Sequence, residues 1–277
     1  MTQLSIFGRS GDEPEPKSAR PQQMTVLITV KAAPNPSATY GETVCVAGLR
    51  LDPMHEDWVR LYPINFRYLD GEQKFGNYDV VTLDAAPSRN DPRRESWRPN
   101  METLRHTDHL PPWRRRSALL LPRVEESMCE ILSAVKTKPP ARSLGLVRPR
   151  LIEGLDVQPH GGWTPDEQRK IDGYVSQLDV FGADRTALEA PRFKVWYRYR
   201  CQDDQCNGHR QGLLDWELVA FQRHLGRRDD DGSVVAIREK FLNEMCGSDR
   251  DVFFYVGNQV KRQQTFSVLG VYWPPRQ

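Results

Sequence analysis

Four short β-rich runs crowd the stretch from Met24 to Ala85: MTVLITVKA (24–32), ETVCVAGLRL (42–51), DWVRLYPI (57–64) and NYDVVTLDA (77–85). Val, Ile, Thr and aromatic residues dominate them, and clusters such as Pro34–Ser37 and Leu69–Glu72 break them apart. Side chains of this kind suit a pleated, half-buried surface, and turn formers at this spacing leave room for little else. The N-terminal half is expected to form a small barrel or curled sheet, OB-like or SH3-like in type.

Helical signals enter later. Residues 125–137 place Met128, Ile131, Leu132 and Val135, with Val124, on one face. Thr164-Pro165-Asp166-Glu167 is a helix start, with a Thr cap, Pro at the first helical position and acids in the first turn. Strands are expected at 143–147 and 193–201, a strand turning into a helix near Asp215, a helix over 234–246, and closing strands at 251–258 and 265–273. The fold class is α+β: a β-rich half followed by a mixed half with a metal-bound hairpin. The expected division is a tail over 1–23, a β-rich domain over 24–150 and an α+β domain over 151–277, joined near 138–165. No internal repeat is visible.

The chain has 277 residues, 38% hydrophobic and 27% charged, enough for a real core under a very polar surface. It holds no run of about eighteen apolar residues, so a spanning helix is not expected. Asp12, Glu13 and Glu15 stand where a secretion signal would need an apolar stretch. Five cysteines, an odd number, suggest a reducing cytoplasm with thiols or a metal rather than paired disulfides. No phosphate-binding, dinucleotide, nucleophile-elbow or H-E-x-x-H signature occurs, which argues against a nucleotide-driven motor.

The net charge of +2 conceals a concentration of arginine. Arg89, Arg93, Arg94, Arg98, Arg105, Arg114, Arg115, Arg116 and Arg123 stand against Asp91, Glu95, Glu102 and Asp108, with Trp97 and Trp113 among them. Arginines that track phosphates and tryptophans that stack on bases make 89–116 a candidate DNA-contact segment. The plainer reading is an Arg-rich loop anchored to the body by its tryptophans. A second candidate surface is Arg60, Tyr62 and Arg67, the first two sharing a strand face by the two-residue period.

Cys201-Gln-Asp-Asp-Gln-Cys206-Asn-Gly-His209 follows a strand directly and offers three ligands of the type zinc prefers. Gly208 permits the sharp backbone such a loop needs. A closed structural site requires a fourth ligand, for which Cys246 or His224 is the expectation. Cys45 and Cys129 fall on apolar faces and read as core thiols. Asp215, Glu217, Glu239 and Lys240 are the candidates for hydrolytic, divalent-metal chemistry. The simpler role for Asp215 is a helix cap, with Glu217 in the first turn and Trp216 in the core.

The N-terminus begins Met-Thr-Gln3-Leu4-Ser5-Ile6-Phe7, and GRSGDEPEPKSARPQQ (8–23) follows with a composition unsuited to a core. Gln3–Phe7 resembles the peptide by which bacterial replication and repair proteins dock on the DNA sliding clamp. The departure is Ile6 where Leu is commoner, a change at nearly equal volume. That resemblance implies a DNA-maintenance protein near the nucleoid, with the sliding clamp and DNA as partners. A metal-dependent nuclease in repair, mobile-element or defence biology is the alternative, and a clamp-occupying interaction module a third. Segments W-V-R-L-Y-P (58–63), D-W-E (215–217) and V-G-N (256–258) are similar to those of uncharacterised bacterial proteins and imply no activity.

Overall fold

The computed structural model describes residues 20–52, 57–69, 71–89, 91–137, 141–177, 186–226 and 228–276, so Gln3–Phe7 lie outside it. The first half contains β1 (Gln22–Lys31), a short β2 (Asn35–Ser37), β3 (Gly41–Arg50), β4 (Trp58–Ile64), β5 (Asp79–Pro87) and β6 (Ser96–His109). β1 pairs antiparallel with both β3 and β5, β3 with β4, and β5 with β6. A parallel contact of β4 with β6, Arg60 opposite Ser96, completes the ring. Leaving aside the short β2, five strands thus close on themselves in the connectivity of an OB barrel. Inside lie Val26, Ile28, Val44, Val46, Val59, Leu61, Val81, Leu83 and Trp97. Each such side chain contributes roughly 1.5–3 kcal/mol on burial.

The second half begins with α1 (Arg114–Leu120), β7 (Val124–Glu125), α2 (Met128–Thr137), β8 (Leu144–Val147) and β9 (Leu151–Pro159). It continues through α3 (Pro165–Val175), β10 (Phe193–Arg200), β11 (His209–Gly212), α4 (Trp216–His224) and α5 (Asp230–Arg238). A π turn over Glu239–Glu244 leads into β12 (Phe253–Gln259) and β13 (Arg262–Tyr272). β9 pairs with β10, β10 with β11, β12 with β13 and β8 with β12, all antiparallel. A parallel bridge from Leu213 to Val268 joins the end of β11 to β13. With β8 and β9 taken as one strand bent at Pro149, the same connectivity appears a second time, with α4 and α5 between its third and fourth strands. Its interior holds Leu155, Val195, Tyr197, Tyr199, Phe254, Val256 and Val268, closed off by Ile237 and Phe241.

The two barrels share a third apolar cluster, in which Val30, Ala47 and Trp58 meet Leu146, Tyr255, Leu269 and Tyr272. Polar contacts cross beside it. Buried Arg60 donates to the Ser143 carbonyl at 3.0 Å, while the Ser143 amide and hydroxyl donate to Glu95 at 2.7 and 2.9 Å.

Most expected elements are present, and Thr164 and Glu167 form a reciprocal capping box on α3. Three differences matter. Residues 124–147, grouped by sequence with the first half, pair with the C-terminal strands. α2 begins at Met128 rather than 125, because Ser127 Oγ accepts the Glu130 amide and turns the chain into the helix. Much of the arginine-rich stretch is the long strand β6 rather than a loop. No described helix is long and apolar enough to cross a membrane.

Candidate metal centre

At the end of β10 the chain leaves the sheet at Cys201, turns through Asp203–Gly208 and re-enters as β11 at His209. The loop is built by its own polar groups. The Asp203 carbonyl accepts the Cys206 amide at 3.1 Å, and its carboxylate accepts the Gln205 amide at 2.7 Å. Gly208 sits at φ +101°, a conformation that side chains rarely adopt. Its amide donates to Cys206 Sγ at 3.4 Å.

The loop brings three of the sequence-predicted ligands together. His209 Nε2 lies 3.3 Å from Cys201 Sγ and 3.3 Å from Cys206 Sγ. The fourth partner is neither Cys246 nor His224 but Cys129, in the first turn of α2. Its Sγ lies 3.6 Å from Cys201 Sγ and 3.6 Å from His209 Nε2. The four ligand atoms all fall within 4.8 Å of one another, an arrangement that can hold a metal ion. Cys246 is elsewhere, donating to the Phe241 carbonyl at 3.5 Å, and the His224 ring contacts the Ala220 carbonyl.

Burial opposes ionisation here, and the thiols divide the strain unequally. Burial raises Cys201, yet hydrogen bonds from His209 and from the Asp203 and Cys129 amides bring its thiol down to about 6. Burial together with the neighbouring Cys201 and Cys206 pushes Cys129 up to about 12. Without a cation the three sulfurs cannot all carry charge; a divalent ion removes that conflict by ionising its ligands. Cys201 and Cys206 are buried and Tyr199 packs on the His209 ring at 5.1 Å, which leaves little access for a substrate.

The other candidates disperse. Asp215 caps α4, its carboxylate accepting the Glu217 amide at 2.8 Å, and burial pushes its carboxyl up to about 7. Glu217 pairs with Lys31 of β1 at 3.6 Å. Glu239 accepts from Asn243 and Lys240 pairs with Glu244, both within one helical turn. Among the described residues, no group of three or more His, Cys, Asp or Glu ligands forms apart from the Cys/His cluster.

Within the 89–116 segment, Trp97 is a core residue and Trp113 packs on Tyr272 and Trp273. Arg93 pairs with Asp91 and reaches the Asn258 carbonyl at 2.6 Å. Arg116 is buried, lying 3.7 Å over the Tyr78 ring and donating to the Leu110 carbonyl. Arg94 is half-buried, while Arg89, Arg98, Arg114 and Arg115 stay exposed, the last paired with Asp108. Trp97, Trp113, Arg93 and Arg116 are thus taken up in packing within and between the barrels, while Arg89, Arg98 and Arg114 face solvent. Arg60 is buried while Tyr62 is exposed, so those two do not form one contact surface, and Arg67 pairs with buried Glu42.

Sequence reasoning passed over a different face. β10 alternates strictly, placing Phe193, Val195, Tyr197 and Tyr199 inside and Lys194, Trp196, Arg198 and Arg200 outside. Arg210 of β11 joins the outer set and lies 4.2 Å over the Trp196 ring. Asp156 holds Arg198 and Arg210 at 2.9 and 2.8 Å, and Glu153 holds Arg200 at 2.9 Å. The alternation of F-K-V-W-Y-R-Y-R was visible in sequence; its exposure was not.

A family described as a domain of unknown function, DUF8757, matches residues 124–277, a span that includes all four clustered ligands. A second domain of unknown function, DUF8758, matches residues 22–122. No curated protein matches the chain.

Proposed function

We propose that this chain, which belongs to the DUF8757 family, a domain of unknown function, is a DNA-maintenance protein that binds single-stranded nucleic acid on the outer face of β9–β11. One observation carries the reading: half-buried Trp196 lies 4.2 Å beneath Arg210 on the outer face of the sheet, flanked by exposed Lys194, Arg198 and Arg200. An aromatic ring amid guanidinium groups offers a base something to stack on and its phosphates something to pair with. The barrel connectivity adds weight by analogy, since OB barrels bind oligonucleotides and oligosaccharides on this part of the sheet, though a fold alone hosts many functions.

Zinc is the metal that suits the Cys129/Cys201/Cys206/His209 set. Tetrahedral zinc with bonds of about 2.3 Å to sulfur and 2.0–2.1 Å to nitrogen spaces its ligands roughly 3.5–3.8 Å apart. Four of the six separations, at 3.3–3.6 Å, approach those edges, and the other two lie within 4.8 Å. Its role is structural: it pins the β10–β11 loop to α2 and so stiffens the sheet that carries Trp196.

The peptide Gln3–Phe7 is the proposed tether to the DNA sliding clamp. Five residues alone bind weakly, but a tether raises the local concentration of the body at clamp-loaded DNA. The test is anisotropy of labelled single-stranded DNA with full-length protein and with Trp196→Ala. Tight binding that the variant loses supports the reading; equal binding by both proteins refutes it.

A further inference from the structure

Where β8 bends into β9, a cleft of about 450 Å³ opens beside the metal loop. Leu151, Ile152 and Val252 give it an apolar lining, and Arg148, Arg150, Arg250 and Arg276 give it a cationic one. A second hollow of about 460 Å³ adjoins it, sharing Ile152, Cys246, Gly247 and Ser248. Volumes of this size suit small organic groups.

The charges are arranged to receive an anion. Arg148 and Arg276 converge on the Asp251 carboxylate at 2.8 and 3.8 Å and are held by it, which leaves Arg150 and Arg250 as the cations to consider. Arg150 reaches Asp204 at 2.9 Å, but Asp204 is 90% exposed and holds it weakly. Arg250 Nε is buried 3.3 Å from Asp249 Oδ2, yet it makes no hydrogen bond, so one donor stands unsatisfied. Four arginines face three aspartates, leaving a positive surplus.

The cleft also continues the proposed strand-binding face. Leu151 is the register partner of Arg200, and the Arg150 amide donates to the Arg200 carbonyl at 2.8 Å. Gln202, one residue past Cys201, donates to the Arg148 carbonyl at 3.3 Å, so the metal loop forms a wall. We propose, resting on the nucleic-acid reading above, that this cleft takes one nucleotide unit of the bound strand, its phosphate against Arg150 and Arg250 and its base or sugar against Leu151, Ile152 and Val252. A bare phosphate would leave the apolar lining unused, and an apolar ligand would leave the arginines unused.

The test is salt-dependent anisotropy with an oligothymidylate of about twenty nucleotides, comparing wild type with Arg150→Ala/Arg250→Ala. The double variant should bind roughly tenfold more weakly, and its plot of log affinity against log salt should be shallower by about 0.7, the increment for one phosphate on a single strand. Arg150→Lys/Arg250→Lys should recover part of the loss, and unchanged metal content and circular dichroism would show that the fold is intact. Unchanged affinity and slope in the alanine variant would overturn the cleft while leaving the Trp196 face standing. A wild type that binds no oligonucleotide, yet binds thymidine monophosphate in a way the alanine variant abolishes, would refute the strand reading and keep the cleft as a nucleotide site. Binding of neither probe would overturn both.

Discussion

Cys129 and Cys201 bring their sulfurs to 3.6 Å across 72 positions of sequence, one from the first turn of a helix and the other from the end of a strand. A contact of such long range fixes how α2 sits against β10. Replacing Cys129 with Ala should abolish stoichiometric metal binding and cost on the order of 3–5 kcal/mol, whereas Cys246→Ala should leave the metal in place. Elemental analysis of the purified variants, followed by denaturant titration, checks both.

The two tryptophans Trp97 and Trp196 should fail in opposite ways. Trp97→Ala removes a core side chain and should cost roughly 3–5 kcal/mol of stability. Trp196→Ala should leave the melting temperature nearly unchanged and weaken single-strand binding by about 1–3 kcal/mol. Parallel thermal melts and anisotropy titrations separate the two effects.

Asp215 makes stability fall as pH rises. Burial pushes its carboxyl up to about 7 in the folded protein, against about 3.9 for a free aspartate. Burial is the main cause; Glu217 adds to it, while the Glu217 amide and Lys31 oppose it. The folded state therefore holds a proton that the unfolded state has released, and that contribution, full below pH 4, is lost progressively up to about pH 7. Asp215→Asn keeps a capping side chain and removes the titration. Relative to wild type it should gain roughly 2–4 kcal/mol between pH 4 and pH 8, read from urea midpoints across that range.

For the N-terminal peptide, Leu4→Ala/Phe7→Ala should abolish binding to purified sliding clamp while leaving single-strand affinity unchanged. Surface plasmon resonance on immobilised clamp, with the DNA titration repeated on the same variant, checks the independence of the two activities.

Local chemistry was the legible part of this sequence. Alternation exposed β1, β3, β4, β5, β10 and β13, and the Thr164 box and the Asp215 cap announced their helices. β6 escaped because Arg98, Asn100, Glu102 and Arg105 face water and Pro99 interrupts the run, so little β character showed. The parallel contact of β4 with β6 joins residues that no local pattern relates. Cys129 was missed for a similar reason: it sits among Met128, Ile131 and Leu132, and nothing around it marks a ligand. Trp97 and Arg116 misled because a tryptophan or arginine in a basic stretch looks the same whether it faces solvent or a neighbouring ring.

The shared cluster around Trp58, Tyr255 and Tyr272 has a bearing on how the molecule can be divided. The two family matches meet between residues 122 and 124, which invites a cut there. Such a cut would bare this apolar surface on both fragments and strand Arg60 and Glu95 without Ser143. Two segments matched by separate families thus share one interior, and a fragment chosen from family boundaries would inherit an adhesive wound in place of it.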